Sequence, residues 1–381
     1  MAIHITPVEN KSDLEAFIRY PFKLYADQPR WVPPLIFERR QFLNRSKNPF
    51  FEHGEAQYFL ARRDGQIVGR ISAQIDENFN QFQSNNWGLF GFFDSEDDRE
   101  VAQLLLDTAA NWLSQKGRDR IVGPMDFTMN DEAGFLVEGF ERAPTILTNW
   151  TMPYYPALLE SAGYAKAMDL FMWELYISAF ESVHPAIKQA AEEVESKHQI
   201  TVRPMRKRDM QNEVERFLDV YNTAWATNND EPRWGFVPLT DSEVRHYAKL
   251  LKPLLDENWA WIAEKDGETV GAALTLPDYN QVLSHLNGHI LPLGWLKFLR
   301  YRRRINQVRV FALGVKPQYQ HTGIAAKFYV EHFHSAARTP QSGGEMGWIL
   351  ETNEPMNRAM EGMGAKIVRR YRLFEKQLDQ S

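Results

Sequence analysis

Gln320, Gly323 and Ala325 are the residues of this chain whose types and spacing most directly suggest chemistry. They open an apolar-patterned stretch (Ala326, Phe328, Tyr329, Phe333) that reads as a helix. It follows a strand-like run, VRVFALGV at 308–315, which Lys316-Pro317 interrupts. A glycine in the first turn lets the backbone approach a ligand closely. The free N–H groups and the positive end of the helix dipole there favour an anion such as a pyrophosphate. A second chemical pattern lies upstream at 289–304, HILPLGWLKFLRYRRR. Wound as a helix, it sets Leu291, Trp295, Leu296 and Leu299 on one face against Lys297, Arg300 and Arg304 on the other. It is too short to span a bilayer, and its pattern suits an anionic membrane surface. Arg302 and Arg303 fall toward the apolar side and weaken the pattern in its last turn; the segment also suits a helix packed on its own domain with its arginines solvated.

The elements that position the glycine turn can be read on both sides of it. Upstream, 259–264 and 269–276 flank Asp266-Gly267 and read as a β-hairpin. A strand at 200–203 precedes them and enters helical segments from Met210. Downstream come a strand at 348–351 (WILE), Asn353, a short helix, and Gly364 ahead of a closing strand at 367–374. The resulting order is β-α-α-β-β-β-α-β-α-β. The same signals recur about two hundred residues earlier. DGQIVG at 64–69 parallels DGETVG at 266–271, Asp76 falls opposite Asp278, and Gly163 falls opposite Gly364. Two copies of one fold account for this. The first copy has DSEDDRE (94–100) where the second has its glycine turn, and acids at a helix start satisfy its dipole and oppose a pyrophosphate. The N-terminal copy is therefore predicted to fold around a helix at 101–113 without gripping that ligand. Its long loops at 24–35 and 123–144 suit either a functional or a packing role.

Composition sets limits. A chain of 381 residues suits two domains, and 44% apolar content suits sizeable cores. A net charge of −6 argues against nucleic-acid binding, and the absence of cysteine removes thiol nucleophiles, disulfides and Cys-ligated metal. The first residues lack the build of a signal peptide, and no stretch approaches the length of a membrane span, so a cytoplasmic protein is expected.

The Q-x-x-G-x-A spacing with its flanking strands resembles the acyl-CoA signature of the GCN5-related N-acetyltransferases, the GNAT superfamily. The resemblance implies an α/β fold, a mixed sheet flanked by helices, in two tandem GNAT-like domains: a degenerate one at 1–180, a helical connector at 181–198 and an acyl-CoA-binding one at 199–381. It implies acetyl-CoA or a longer acyl-CoA as co-substrate and no metal. Leu313, Gly314 and Val315 would line the pantetheine arm, Gln320, His321, Thr322, Gly323, Ile324 and Ala325 the pyrophosphate, and Asn353 the cofactor side. The amine would attack the thioester directly. Glu351 and Asp278 are the carboxylates placed by the motif to act as base, and each also suits a cap or turn. Many relatives carry a Tyr, the acid for the leaving thiolate, where this chain has Met360. Tyr329 or Tyr371 would have to replace it, or the thiolate leaves unassisted. Trp225, Asn228, Trp234 and Asn280 fall where the superfamily binds its acceptor, although Trp234 and Phe236 also suit a core. The layout and the basic insert resemble bacterial ceramide synthases, implying a small-molecule or lipid amine acceptor and peripheral contact with the inner membrane face through 291–304. A non-catalytic acyl-CoA-binding scaffold and a tRNA-dependent aminoacyl transferase are the alternatives.

Overall fold

The computed structural model describes residues 2–228 and 231–379. The N-terminal half begins with β1 (Ile3–Pro7), α1 (Lys11–Leu24), α2 (Ile36–Phe42), β2 (Gly54–Arg63) and β3 (Gln66–Asp76). It continues with α3 (Glu77–Gln83), β4 (Trp87–Ser95), α4 (Arg99–Gln115), β5 (Arg120–Gly123), β6 (Phe135–Glu138), α5 (Tyr155–Ser161) and β7 (Ala165–Tyr176). The C-terminal half runs α6 (Pro185–Ser196), β8 (Thr201–Pro204), α7 (Met210–Ala224), the short ribbon β9 (Thr227–Asn228) and β10 (Glu231–Pro232), and α8 (Asp241–Leu251). Then come β11 (Ala260–Lys265), β12 (Glu268–Pro277), α9 (Asn280–Leu283), α10 (Gly294–Tyr301) and β13 (Gln307–Val315). The chain finishes with α11 (Ile324–Arg338), β14 (Gly343–Leu350), α12 (Glu354–Gly362) and β15 (Lys366–Gln377).

Two compact units result. The first comprises Met1–Asp169, Leu283–Phe298 and Arg369–Ser381; the second comprises Leu170–Val282 and Leu299–Val368. In the first, β1, β2, β3 and β4 are antiparallel neighbours and β5 runs parallel to β4. The C-terminal end of β15 then pairs antiparallel with β5, and β6 pairs with residues 370–372 of β15. In the second unit, β8, β11, β12 and β13 are antiparallel neighbours, β14 runs parallel to β13, and residues 170–176 of β7 pair antiparallel with β14. The two sheets thus have one strand pattern, and each takes its sixth strand from the other half of the sequence.

The repeat extends to the local geometry of its hairpins. Asp64-Gly65 and Asp266-Gly267 both take positive φ at successive residues (50° and 77°; 50° and 83°), the conformation a two-residue hairpin turn needs. Each hairpin shifts register at the same place, between Ala61 and Arg62 in one and between Ala263 and Glu264 in the other. Gly69 and Gly271 then let a helix cross the strand. A Cβ on Gly69 would lie 2.6 Å from Leu105 of α4, and one on Gly271 2.9 Å from Ile324 of α11. Each unit buries its own core, around Phe17, Tyr58, Phe92 and Phe127 in the first and around Trp259, Trp261, Ile324 and Phe328 in the second. The connector helix α6 departs from the solvent-exposed reading of its sequence: Ala191 and Val194 are buried, because α6 packs along α11.

Candidate functional site

The glycine turn sits where the sequence places it, and the reason for its glycine is partly different. Residues Pro317–Thr322 make a 3-10 turn, and Gly323 (φ +83°) begins α11. A Cβ there would lie 2.5 Å from the Ala190 carbonyl oxygen of α6, so packing alone demands glycine. What distinguishes the helix is its open start. No side chain caps it and no acid lies in its first turn, while Gln320 and His321 stand exposed beside it. Its three leading N–H groups and its dipole are available to an anion. The counterpart helix, α4, is closed. Asp98 caps it, accepting from the N–H groups of Glu100 (2.9 Å) and Val101 (3.3 Å), and Arg63 binds the same carboxylate at 2.6 Å. Arg63 and those amides hold the Asp98 carboxyl below its usual range.

The strands leading to the turn differ in the same sense. β13 and β14 pair only from Gln307–Gly343 to Val310–Met346; β13 runs on to Val315 and β14 to Leu350, so the parallel strands part over their last residues. Leu313, Gly314 and Val315 line β13 beyond the parting point, and all three are buried. Trp225, at the end of α7, lies directly over Gly314, so this expected substrate residue does meet the expected donor strand. In the first unit the equivalent wedge is filled by its own chain. Met125 N–H donates to Phe90 O (2.8 Å), the Met125 carbonyl crowds Gly91, and Phe92 N–H donates to Asp126 Oδ1 (2.8 Å).

Other expected residues occupy structural posts. Asp278 accepts from Asn280 N–H (3.2 Å) and Gln281 Nε2 (3.3 Å) and is 4% exposed. Its repeat partner Asp76 likewise caps α3, accepting from Phe79 N–H at 3.1 Å. Both aspartates thus accept a backbone N–H from the turn that follows their strand. Asn353 caps α12 through Met356 N–H (3.4 Å). Met360 is core, and Tyr329 donates to Met356 Sδ (3.1 Å) with burial pushing its pKa up. Glu351 is half-buried just beyond β14. Tyr371 is fully buried in the first unit, donating to Asn149 O (2.9 Å), and Glu351 belongs to the second. Trp234 is half-buried on the loop after β10, Asn280 is buried at the start of α9, and the side chain of Asn228 lies outside the described residues.

Sequence reasoning missed three groups. On β13 and β14, Arg309 and Glu345 face each other in register, each 2% exposed, and Arg309 Nη2 donates to Gly347 O (3.2 Å) just where the strands part. His332 of α11 is held neutral, its pKa lowered to about 4 by burial. Its Nδ1 sits 2.6 Å from Phe328 O, which fixes the proton there and leaves Nε2 to accept from Thr275 Oγ1 at 2.7 Å. Beside it an apolar slot runs between α11 and the sheet, past Val308, Val310, Leu313, Tyr329 and Met346. A charged residue inside a strand pattern and a lone helical histidine carry little sequence signal. The third group, Asp126 and Glu132, lies in the flagged loop 123–144.

α10 exposes its apolar face. Leu291 and Leu293 are 70% and 66% exposed, Trp295, Leu296 and Leu299 also face solvent, and Lys297, Arg300 and Arg302 to Arg304 stand exposed among them. Among the described residues no helix is long and apolar enough to cross a membrane.

Two units of this strand order, one with an open helix start beside parted parallel strands, are the tandem GNAT fold. The solved tandem GNAT protein from the clavulanic acid biosynthesis pathway matches over 100% of both chains with a TM-score of 0.58 at 12% identity. A GCN5-related N-acetyltransferase from Sphaerobacter thermophilus matches over 99% of this chain and 96% of its own, with a TM-score of 0.51 at 11% identity. No family model matches the sequence. Protein YghO of Escherichia coli (strain K12) is 37% identical over 97% of this chain and 94% of its own. The bacterial ceramide synthase of Caulobacter vibrioides (strain NA1000 / CB15N) is 35% identical over 99% and 98%. The chain belongs to the family of these two relatives, and its fold is that of the tandem GNAT proteins.

Proposed function

We propose that this protein is an acyl-CoA-dependent N-acyltransferase whose donor site lies in the second unit and whose acceptor is a lipid amine of the sphingoid kind. One observation carries the donor assignment. Of two equivalent helix starts, α4 is filled by Asp98, and α11 is uncapped, free of acids and fed by parted strands. A pyrophosphate would take the N–H groups of the turn at 320–325, and the pantetheine arm would follow Leu313–Val315 along the gap. The first unit, with its wedge filled and its helix capped, holds no CoA. The amine attacks the thioester carbonyl; the C–N bond forms, the C–S bond breaks, and the proton lost by the amine ends on the thiolate. Glu351 is the carboxylate proposed to relay it, with Trp225 bounding the acceptor. The sphingoid class is supported by the ceramide synthase relative and by the exposed apolar and basic surface of α10, which suits transient residence on an anionic leaflet.

The test is CoA release from palmitoyl-CoA and acetyl-CoA in the presence of long-chain and short-chain amines. The control is a variant with Gln320→Glu and His321→Glu. Both positions are exposed, so folding is spared, and two new charges beside a pyrophosphate should weaken donor binding roughly tenfold, about 1–2 kcal/mol. Release that depends on a long-chain amine and is lost in the variant is the expected result. No thermal shift with either thioester and no release with any amine would overturn the reading.

A further inference from the structure

The apolar slot beneath α11 begins where β13 and β14 part, and every residue lining it belongs to the second unit. Val310 and Met346 form the last pair of the two strands, Leu313 lies beyond it, and all three line the slot. They meet there because β13 is bulged. Thr275 of β12 pairs with Val310 and Leu274 pairs with Ala312, which leaves Phe311 as an extra residue and turns Val310 and Leu313 to the same face. From the parting the slot runs back past Val308 to Gly343 and Gly344 of β14, where the strand carries no side chains. Helix α11 returns over β13 from the glycine turn, so its Ala336 covers the far end, with Tyr176 and Ile177 at the close of β7. Tyr176 is 38% exposed, and the far end opens there to solvent. The slot encloses about 480 Å³ of open space.

Its wall offers a ligand nothing polar. The four lining side chains that carry polar atoms direct them into the fold. His332 Nε2 accepts from Thr275 Oγ1 (2.7 Å), and Tyr329 donates to Met356 Sδ (3.1 Å). Trp259 Nε1 donates to Gln341 Oε1 (3.3 Å), and Tyr176 donates to Glu174 Oε1 (3.0 Å). Water gains little in such a space, and hydrocarbon is the occupant that matches it.

We propose that this slot receives the acyl chain of the donor thioester, and that its length sets how much of the chain the protein grips. The proposal rests on the acyl-CoA reading and names the donor's class, a medium-chain acyl group. A pantetheine arm laid along Leu313–Val315 from the turn at 320–325 ends at the parting. The chain that continues from its thioester then enters between Val310, Leu313 and Met346. From Met346 back to Gly343 is three residues, and from Leu313 back to Val308 is five. At about 3.3 Å per strand residue the slot is about 10–16 Å long. Carbon–carbon bonds of about 1.5 Å advance an extended chain by about 1.25 Å per carbon, so the slot covers about eight to twelve carbons. Carbons beyond these emerge at Tyr176 and gain little.

The experiment is calorimetric titration of the whole protein, without amine, using free CoA and acetyl-, octanoyl-, dodecanoyl- and palmitoyl-CoA below their aggregation limits. Each buried methylene is worth up to about fourfold in affinity. Affinity should rise at least roughly a hundredfold from acetyl-CoA to dodecanoyl-CoA, then stay within about threefold on to palmitoyl-CoA. Ala336→Phe fills the far end from a half-buried position. It should leave acetyl-CoA within about twofold of wild type and weaken dodecanoyl-CoA at least tenfold, a split that general loss of structure does not produce. Ile177→Trp gives the same reading from another element should the first variant misfold. An affinity that ignores chain length, that climbs as steeply from dodecanoyl- to palmitoyl-CoA, or that both variants leave intact overturns the proposal. Acetyl-CoA binding that ignores chain length yet is weakened by Gln320→Glu with His321→Glu would remove the slot and leave the donor site standing. Binding of no CoA compound at all would remove both.

Discussion

Replacing Asp126 by Asn should stabilise the protein, and by an amount that depends on pH. In the native state the carboxyl titrates near 7, against 3.8 for an unperturbed aspartate, chiefly because burial and Glu132 disfavour its charge. Between those values the native chain binds more protons than the unfolded one, so stability falls as pH rises through the interval and is constant above it. About three pH units at 1.36 kcal/mol each bound the full penalty at about 4 kcal/mol. Between pH 5.5 and pH 8 the wild type should lose about 2 kcal/mol through this one group. Asn has no charge to desolvate, and its Oδ1 can still accept from Phe92 N–H, which sits 2.8 Å from Asp126 Oδ1. The assay is urea unfolding of both proteins at the two pH values. Where two transitions resolve, the one belonging to the first unit should respond. The advantage of Asp126→Asn should grow by about 2 kcal/mol from pH 5.5 to pH 8. A constant difference, or an advantage larger at low pH, would refute the assignment of a raised carboxyl.

His332 predicts the opposite dependence in the second unit. Its native pKa near 4 lies below the usual 6.5, so its contribution is present above 6.5 and is lost as pH falls toward 4, by at most about 3 kcal/mol; His332→Asn should flatten that acid limb of urea unfolding. Gly323→Ala should cost roughly 2–4 kcal/mol in urea unfolding, from its left-handed φ and the contact with Ala190 O, even without ligand; a neutral result would return the glycine to a purely ligand-driven role. Trp295→Glu with Leu296→Glu should leave the melting temperature within a degree or two, as expected for exposed sites. It should reduce co-sedimentation with phosphatidylglycerol vesicles at least tenfold, and unchanged sedimentation would dismiss the membrane contact.

The parts legible in the sequence are those with local physical causes. Asp64-Gly65 and Asp266-Gly267 announce their hairpins because two successive positive φ angles restrict which residues can stand there. The glycine turn and the acids ahead of α4 are legible because helix ends select for charge and conformation. Asp278 and Asn353 show the limit of that logic, since accepting a backbone N–H at a turn or helix start and binding a ligand ask for the same side chains. The fates of β7 and β15 carry no local mark, as strand pairing across the whole chain depends on which edges remain open. The loops 24–35 and 123–144 stand out by length, yet that both line one cleft of the first unit depends on folding that no window of sequence contains.

The exchange of sixth strands has a consequence for synthesis. The sheet of the first unit closes only when β15, ending at Gln377, has been made, although most of that unit is encoded before Asp169. Until then β5 presents an open edge of unpaired amides, a template for wrong partners. A nascent or truncated chain therefore cannot complete the first unit's sheet ahead of the second unit, and a premature stop near the C-terminus is felt first in the unit encoded mostly at the N-terminus. The two halves therefore mature together, each lending the other the strand that closes its sheet.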